Sequence, residues 1–129
     1  MFAAKSYVEK NGIPTNLEQF MTHDFVGYIG DDVIISGMRE LGLKVDSHFF
    51  KVRCDNHVVH WELARAGCGI GFSQKIIGRQ DPDMVQIMPE LPLPVLPVWL
   101  TAPEALRTNQ RIRRVFDLLA DALSDVVDA

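Results

Sequence analysis

The chain has 129 residues, 47% of them hydrophobic and 23% charged, which is enough to bury a core of ordinary size. Its formal net charge of −4 argues against direct DNA binding, which depends on clustered Lys and Arg that neutralise phosphates. Cys54 and Cys68 form no CxxC pair, so a disulfide scaffold is not expected. No apolar stretch approaches the roughly 20 residues of a membrane span, and no signal-peptide pattern is present. The sequence therefore predicts a cytoplasmic globular protein that does not contact a membrane.

Helices are predicted where good N-cap residues precede apolar residues at helical spacing. Thr15 and Glu18 have the spacing of a capping box, which predicts a short helix from near Asn16. The capping types Asp31 and Asp32 precede the second predicted helix, which Gly42 is placed to end. This second helix is predicted over residues 33–41, and a third over residues 57–66. A fourth is predicted from apolar residues at helical spacing, which are Ile112, Val115, Phe116, Leu119, Ala120 and Leu123.

Short apolar runs bounded by polar residues, glycine or proline are typical of buried strands. Five such runs occur, at residues 25–29, 49–54, 69–73, 84–88 and 98–101. Residues 89–97 contain four prolines and predict a stiff, extended connector, because proline lacks an N–H donor. Strands that alternate with helices indicate an α/β fold with a mainly parallel sheet and helices on both of its faces.

Three patterns suggest chemistry, and each has a structural interpretation beside the functional one. Cys54, His57 and His60 form a C-x2-H-x2-H run that could ligate a metal, but no second pair of ligands accompanies them, so they are interpreted as solvent-facing or capping residues. Residues 67–71 are glycine-rich, but they connect a helix to a strand, the reverse of a dinucleotide fingerprint. Ser73 lacks the G-x-S-x-G elbow of a hydrolase. No catalytic residue, metal or cofactor is predicted.

The third predicted helix begins after Asp55 and Asn56, at a place where backbone N–H groups attract carboxylates and other anions. These two residues form one wall of a small-molecule site in one interpretation, and merely cap their helix in the other. The sequence leaves both interpretations open.

A series of short motifs occurs in order along nearly the whole chain. They are YVEKNGIP at residues 7–14 followed by Leu17 and His23-Asp24, NHVVHWELARAGCGIG at 56–71, which contains a predicted helix and the glycines after it, MVQIMP at 84–89, VWL at 98–100 and RRVFDLL at 113–119. Together they resemble the C-terminal part of the effector-binding region of LysR-type transcriptional regulators. At Ser73-Gln74 the chain departs from the proline common in that family, so the local loop is expected to differ.

The resemblance implies a lobe like those of periplasmic binding proteins. Residues 1–97 would form the second lobe of the effector-binding domain, and residues 98–129 would contribute the last strand and helix of the first lobe. The rest of the first lobe and the winged helix-turn-helix would precede Met1, which is interpreted as an internal or truncated start. DNA would be contacted only through that N-terminal segment.

By this resemblance the function is effector sensing, in which a small molecule held between lobes controls DNA binding without any bond being made or broken. Open α/β sheets bind ligands at the carboxyl ends of their strands. The predicted effector-binding residues all follow predicted strands: Gly30, Asp31, Asp55, Asn56, Ser73 and Gln74.

Two other classes of protein remain open, and homodimerisation or higher self-association is expected of the LysR-type fragment. A solute-binding protein of a transporter shares the two-lobe fold, and a small flavodoxin-like enzyme would need a phosphate loop that is not found. If the first lobe is missing, the last strand and helix leave apolar surface that a homodimer would cover.

Overall fold

The computed structural model of the protein describes residues 1–30, 32–94, 97–104 and 108–127, with backbone alone for 125–127. The chain divides into two compact units, Met1–Pro94 and Val95–Ala129. The first unit holds four strands and five α-helices among its described residues. In chain order they are β1 (Phe2–Ala4), α1 (Lys5–Asn11), α2 (Leu17–Phe20), β2 (Val26–Gly27), α3 (Val33–Glu40), β3 (Val52–Arg53), α4 (His57–Arg65), α5 (Lys75–Gln80) and β4 (Met84–Gln86), with a 3-10 turn at Ser47–Phe49 before β3.

The strands form two separate two-stranded sheets, so the predicted mainly parallel sheet with helices on both faces is wrong. β1 pairs antiparallel with β4, with Ala3 opposite Val85, while β2 pairs parallel with β3. Residues 69–73, predicted to be a full strand, make two isolated bridges instead: Gly71 to Phe2, antiparallel, and Ile70 to Phe25, parallel. The expected periplasmic-binding-protein-like lobe depended on that parallel sheet and is corrected with it.

The predicted parallel sheet is wrong partly because the sequence does not reveal β1 or the direction in which it pairs. β1 has only three residues and runs straight into α1 at Lys5, so it produces no apolar run long enough to notice. Apolar runs mark strands but carry no information about the direction in which they pair. An N-terminal strand that pairs antiparallel with β4 therefore changes the fold class without changing the sequence pattern.

Most of the predicted helix starts are confirmed, and one is shifted by a residue. The Asn56 side chain caps α4, as predicted. α2 is capped by Asn16, whose Oδ1 accepts the N–H of Gln19 at 2.8 Å, and the Gln19 side chain accepts the N–H of Thr15 at 2.9 Å. The reciprocal bonds of the capping box thus run through Gln19 and not through Glu18. Helices α1 and α5 were not predicted.

An aromatic cluster fills the core of the first unit. The ring of Phe25 lies 4.6 Å from that of Phe20 and 4.9 Å from that of Phe49, measured between centroids. Trp61 meets Phe2 edge to face at 6.0 Å. The largest fully buried side chains are Phe2, Phe20, Phe25, Met38, Ile70, Ile87, His60 and Val26.

Gly71 brings the glycine-rich segment close against α4. A Cβ added at Gly71 would lie 2.6 Å from the Cβ of Ala64 and 3.5 Å from Nε2 of His60. Real Cβ atoms do not approach a carbon that closely, so only glycine allows this segment to lie against the helix.

In the second unit, the described residues are 97–104 and 108–127, and their one α-helix is α6 (Gln110–Val127). The helix that was predicted from the spacing of its apolar residues is confirmed. The strand predicted over residues 98–101 does not form, and Trp99 there is 82% exposed. A strand needs a paired neighbour, and no described strand pairs with this segment. Across the described parts of the chain, no helix has both the length and the apolar character needed to cross a membrane.

Candidate functional site

The carboxyl ends of β2 and β3 meet at one edge because the two strands are parallel. Gly30 follows the first strand and Asp55 follows the second. One oxygen of Asp55, Oδ1, accepts the N–H of Ile29 at 2.6 Å and the N–H of Gly30 at 3.2 Å. The carboxylate therefore holds the turn that leaves β2 against the segment that enters α4.

Asn56 satisfies the first turn of α4. Its Oδ1 accepts the N–H of Val58 at 3.0 Å and the N–H of Val59 at 3.1 Å. These are two of the N–H groups that the helix itself leaves without a partner. Asp55 and Asn56 thus bind backbone N–H groups that a bound anion would otherwise use.

His60 is buried completely in the last position of that first turn. Its Nε2 accepts the N–H of Phe72 at 3.1 Å, so the neutral ring carries its proton on Nδ1. The ring stacks on Tyr28, with centroids 4.2 Å apart and planes within 5°. His60 therefore connects the end of β2, helix α4 and the glycine-rich segment, and the interpretation of it as solvent-facing or capping is wrong.

Burial lowers the pKa of His60 below its ordinary value, because desolvation disfavours the charged ring. The carbonyl of Gly27 acts in the opposite direction and His57 reinforces the lowering. Nδ1 makes no hydrogen bond of good geometry to any described residue, so the Gly27 carbonyl is an electrostatic neighbour rather than a full partner. The site accordingly contains a buried neutral imidazole.

Tyr28 lies between the two histidines of α4. Its hydroxyl is 3.2 Å from Nδ1 of His57, which is exposed, while its ring covers His60. Sequence reasoning missed Tyr28, although its place at the end of a predicted strand was a usable signal. Two apolar side chains on neighbouring segments are exposed, with Ile29 at 61% and Val58 at 72%.

The predicted site residues are brought together only in part. Gly30, Asp55 and Asn56 form one cluster. Ser73 and Gln74 are not bonded to this cluster: among the described residues, neither forms a hydrogen bond or an ion pair with Gly30, Asp55 or Asn56. The residue before them, Phe72, donates its N–H to His60 of α4. Asp31 lies outside the described residues.

A second polar cluster surrounds the hydroxyl of Tyr7. That oxygen accepts the N–H of Asp24 at 2.9 Å and forms a hydrogen bond of 3.1 Å with Nδ1 of His23, whose tautomer sets the direction. Lys51 pairs with the Asp24 carboxylate at 2.8 Å. A cavity of about 160 Å³ opens here, lined by Tyr7, Asn11, Thr22, His23 and Asp24.

The C-x2-H-x2-H run does not assemble as a ligand set. His60 uses Nε2 on Phe72, and the thiol of Cys54 lies 3.8 Å from the carbonyl oxygen of Asn56. Within the described ranges, no three His, Cys, Asp or Glu side chains gather closely enough to hold a metal ion.

No protein-family model, curated protein or solved structure matches the chain. The resemblance to LysR-type regulators therefore stays a prediction, as do the effector and the DNA-binding segment that it implies.

Proposed function

We propose that this chain is the effector-sensing part of a LysR-type transcriptional regulator, and that it binds a small molecule without catalysis. One observation carries the proposal: Gly30, Asp55 and Asn56 meet at the carboxyl ends of two parallel strands, beside the start of α4. Ligands of α/β proteins bind at such strand ends. The opposite wall of the site and the winged helix-turn-helix would belong to protein outside this chain, and the protein would act in the cytoplasm.

Binding would be transmitted through the contacts of Tyr28 and His60. A ligand beside Asp55 touches the turn that Tyr28 begins, and Tyr28 stacks on His60, which in turn holds Phe72. A ligand can shift a conformational equilibrium only by its difference in affinity for the two states. These contacts provide a route by which occupancy at the strand ends favours one arrangement of α4 and the glycine-rich segment.

The coding sequence in frame before the codon for Met1 tests the proposal directly. A winged helix-turn-helix and a first α/β lobe are expected there. A signal peptide immediately upstream would contradict the proposal and favour a transporter's binding protein instead. For the complete protein, thermal-shift screening against small carboxylates, amines and aromatics should find a ligand that also changes the protein's affinity for DNA.

A further inference from the structure

Helix α6 carries an exposed apolar stripe in addition to a half-buried one. Val115, Leu118 and Ala122 are exposed, and their spacing of three and then four residues places them on one line along the helix. This spacing is that of the seam of a coiled coil, and we call these three residues the exposed seam. The half-buried apolar residues lie on a different side of the helix: Ile112, Phe116, Ala120 and Leu123. The exposed seam therefore has the pattern that packs against a second helix.

Charge is distributed unevenly along α6. Its first five residues include Arg111, Arg113 and Arg114, and every charged residue after Arg114 in the chain is an aspartate. This order opposes the helix dipole, because cations lie near its positive end and carboxylates near its negative end. The arrangement does not stabilise α6 as a single helix, whereas an antiparallel neighbour of the same sequence would place aspartates beside the arginines.

Arg114 and Asp121 flank the exposed seam on the same side. They are seven residues apart, which is close to two full turns, so their side chains leave the helix in nearly the same direction. Both are exposed, and neither side chain forms an ion pair or a hydrogen bond with any residue that the structure describes. Each directly precedes a residue of the seam, Val115 or Ala122, and this is a position from which coiled coils form ion pairs between helices.

We propose that two copies of the chain associate through antiparallel α6 helices, with Arg114 of each copy paired to Asp121 of the other. A twofold axis near Leu118 brings these two positions together, and the same axis forms a second, identical pair. In a parallel pair of helices, Arg114 would lie opposite Leu119 of the other copy, so this ion pair would not form. One helix from each copy gives a small interface, so the association is weak and reversible.

Charge reversal tests both the surface and the orientation. Arg114→Asp gives a chain with a carboxylate at both flanking positions, and Asp121→Arg gives one with a guanidinium at both. Each variant alone should have a dissociation constant about tenfold higher than that of the unaltered chain, because two attractions become two repulsions. An equimolar mixture of the two variants should recover the association, since each carboxylate then faces a guanidinium. Sedimentation equilibrium at several concentrations measures each variant and the mixture.

Arg113→Asp and Asp117→Arg are the matched controls. They make the same changes of charge on the side of α6 that faces away from the exposed seam. Each should leave the dissociation constant within about twofold of that of the unaltered chain, and mixing them should not tighten it. Far-ultraviolet circular dichroism should show the same helix content in all four variants.

A monomer at every concentration of the unaltered chain would refute the association itself. Equal effects of Arg114→Asp and Arg113→Asp, or a mixture that associates no more tightly than its components, would refute the antiparallel pairing. If a reversal unfolds the chain, Arg114→Gln and Asp121→Asn remove the same charges, and each should raise the dissociation constant about threefold; no change in either would also refute the pairing. None of these results bears on effector sensing, because the candidate site lies in the first unit.

Discussion

His60 is a polar side chain placed where the protein would normally bury an apolar one. Burial is tolerated because Nε2 accepts the N–H of Phe72 and the ring face is covered by Tyr28. Because of this hydrogen bond, the backbone N–H of Phe72 is not left without a partner, which would cost free energy. The residue thus contributes packing and hydrogen bonding together, and its replacement should affect both.

We expect His60→Ala to lower the free energy of unfolding by about 2–4 kcal/mol, because the change leaves a cavity and an unpaired buried N–H at Phe72. His57→Ala is the matched control on the same helix, and it should have little effect because His57 is exposed. Urea denaturation of both variants measures the difference. Equal losses would mean that the His60 ring is not a packing element.

Acidification should destabilise the protein through His60 and His23. Burial lowers the pKa of each below the ordinary value of 6.5, while the carboxylate of Asp24 partly offsets the effect at His23. Below pH 6.5 the unfolded chain therefore binds more protons than the folded one, so stability falls as the pH drops and continues to fall until the folded imidazoles titrate.

Two measurements check this pH dependence. In NMR titrations, the imidazole signals of His23 and His60 should have midpoints below the ordinary histidine value of 6.5. Urea midpoints should be lower at about pH 5.5 than at about pH 7. A midpoint above 6.5 for either ring would contradict the lowered pKa values of His23 and His60.

At the scale of elements, the position of α4 depends on the glycine-rich segment that lies against it. Gly71 allows a carbon-to-carbon approach at Ala64 that a side chain would prevent. Gly30, by contrast, has ordinary space: a Cβ there would lie 3.7 Å from Oδ2 of Asp55. Packing therefore requires glycine at position 71, whereas the space at Gly30 also admits alanine.

Gly71→Ala should destabilise the protein by about 1–3 kcal/mol, since the added methyl group overpacks the contact with α4. Gly30→Ala should change stability by less than about 1 kcal/mol, because its methyl group meets only normal contacts and alanine restricts the unfolded chain. Thermal or urea unfolding of the pair distinguishes them. A larger loss for Gly30→Ala would refute the packing arrangement described for the segment.

At the scale of the whole molecule, the second unit carries apolar surface without a described cover. On α6, Val115, Leu118 and Leu119 are 58%, 66% and 43% exposed. Soluble proteins rarely leave adjoining apolar side chains open to water over a large area. The self-association expected from the sequence would bury this surface, and it stays a prediction.

Sedimentation equilibrium at several concentrations should therefore give an average mass above that of one 14.5 kDa chain. Leu119→Asn should shift the equilibrium toward the monomer, because it places an amide on the apolar stripe. Asp117→Asn introduces the same residue on the side of α6 that faces away from Val115 and Leu119, and it should leave the association unchanged. A monomer at every concentration would refute the expectation for the unaltered chain.

The part of the candidate site that lies at strand ends and at a helix cap could be predicted from the sequence. Asp55 and Asn56 were recognisable as residues that end a strand and cap a helix, and Gly30 as the end of another strand. Parallel pairing of β2 with β3 then places them at one edge. Ser73 and Gln74 were also predicted because they lie at the end of a predicted strand. Residues 69–73 make only isolated bridges, so there is no continuous strand whose carboxyl end could place these two residues at the site.

The sequence by itself determined the features that arise within a turn or two of chain. Asn56 caps α4 through groups two and three residues away, and α6 follows from the spacing of its own apolar residues. Only the tertiary structure decided the direction of β1, the burial of His60 and the occupation of the Ile29 and Gly30 N–H groups by Asp55. Each of these depends on groups that are distant along the chain, and their pairing is settled by packing rather than by local conformational preference.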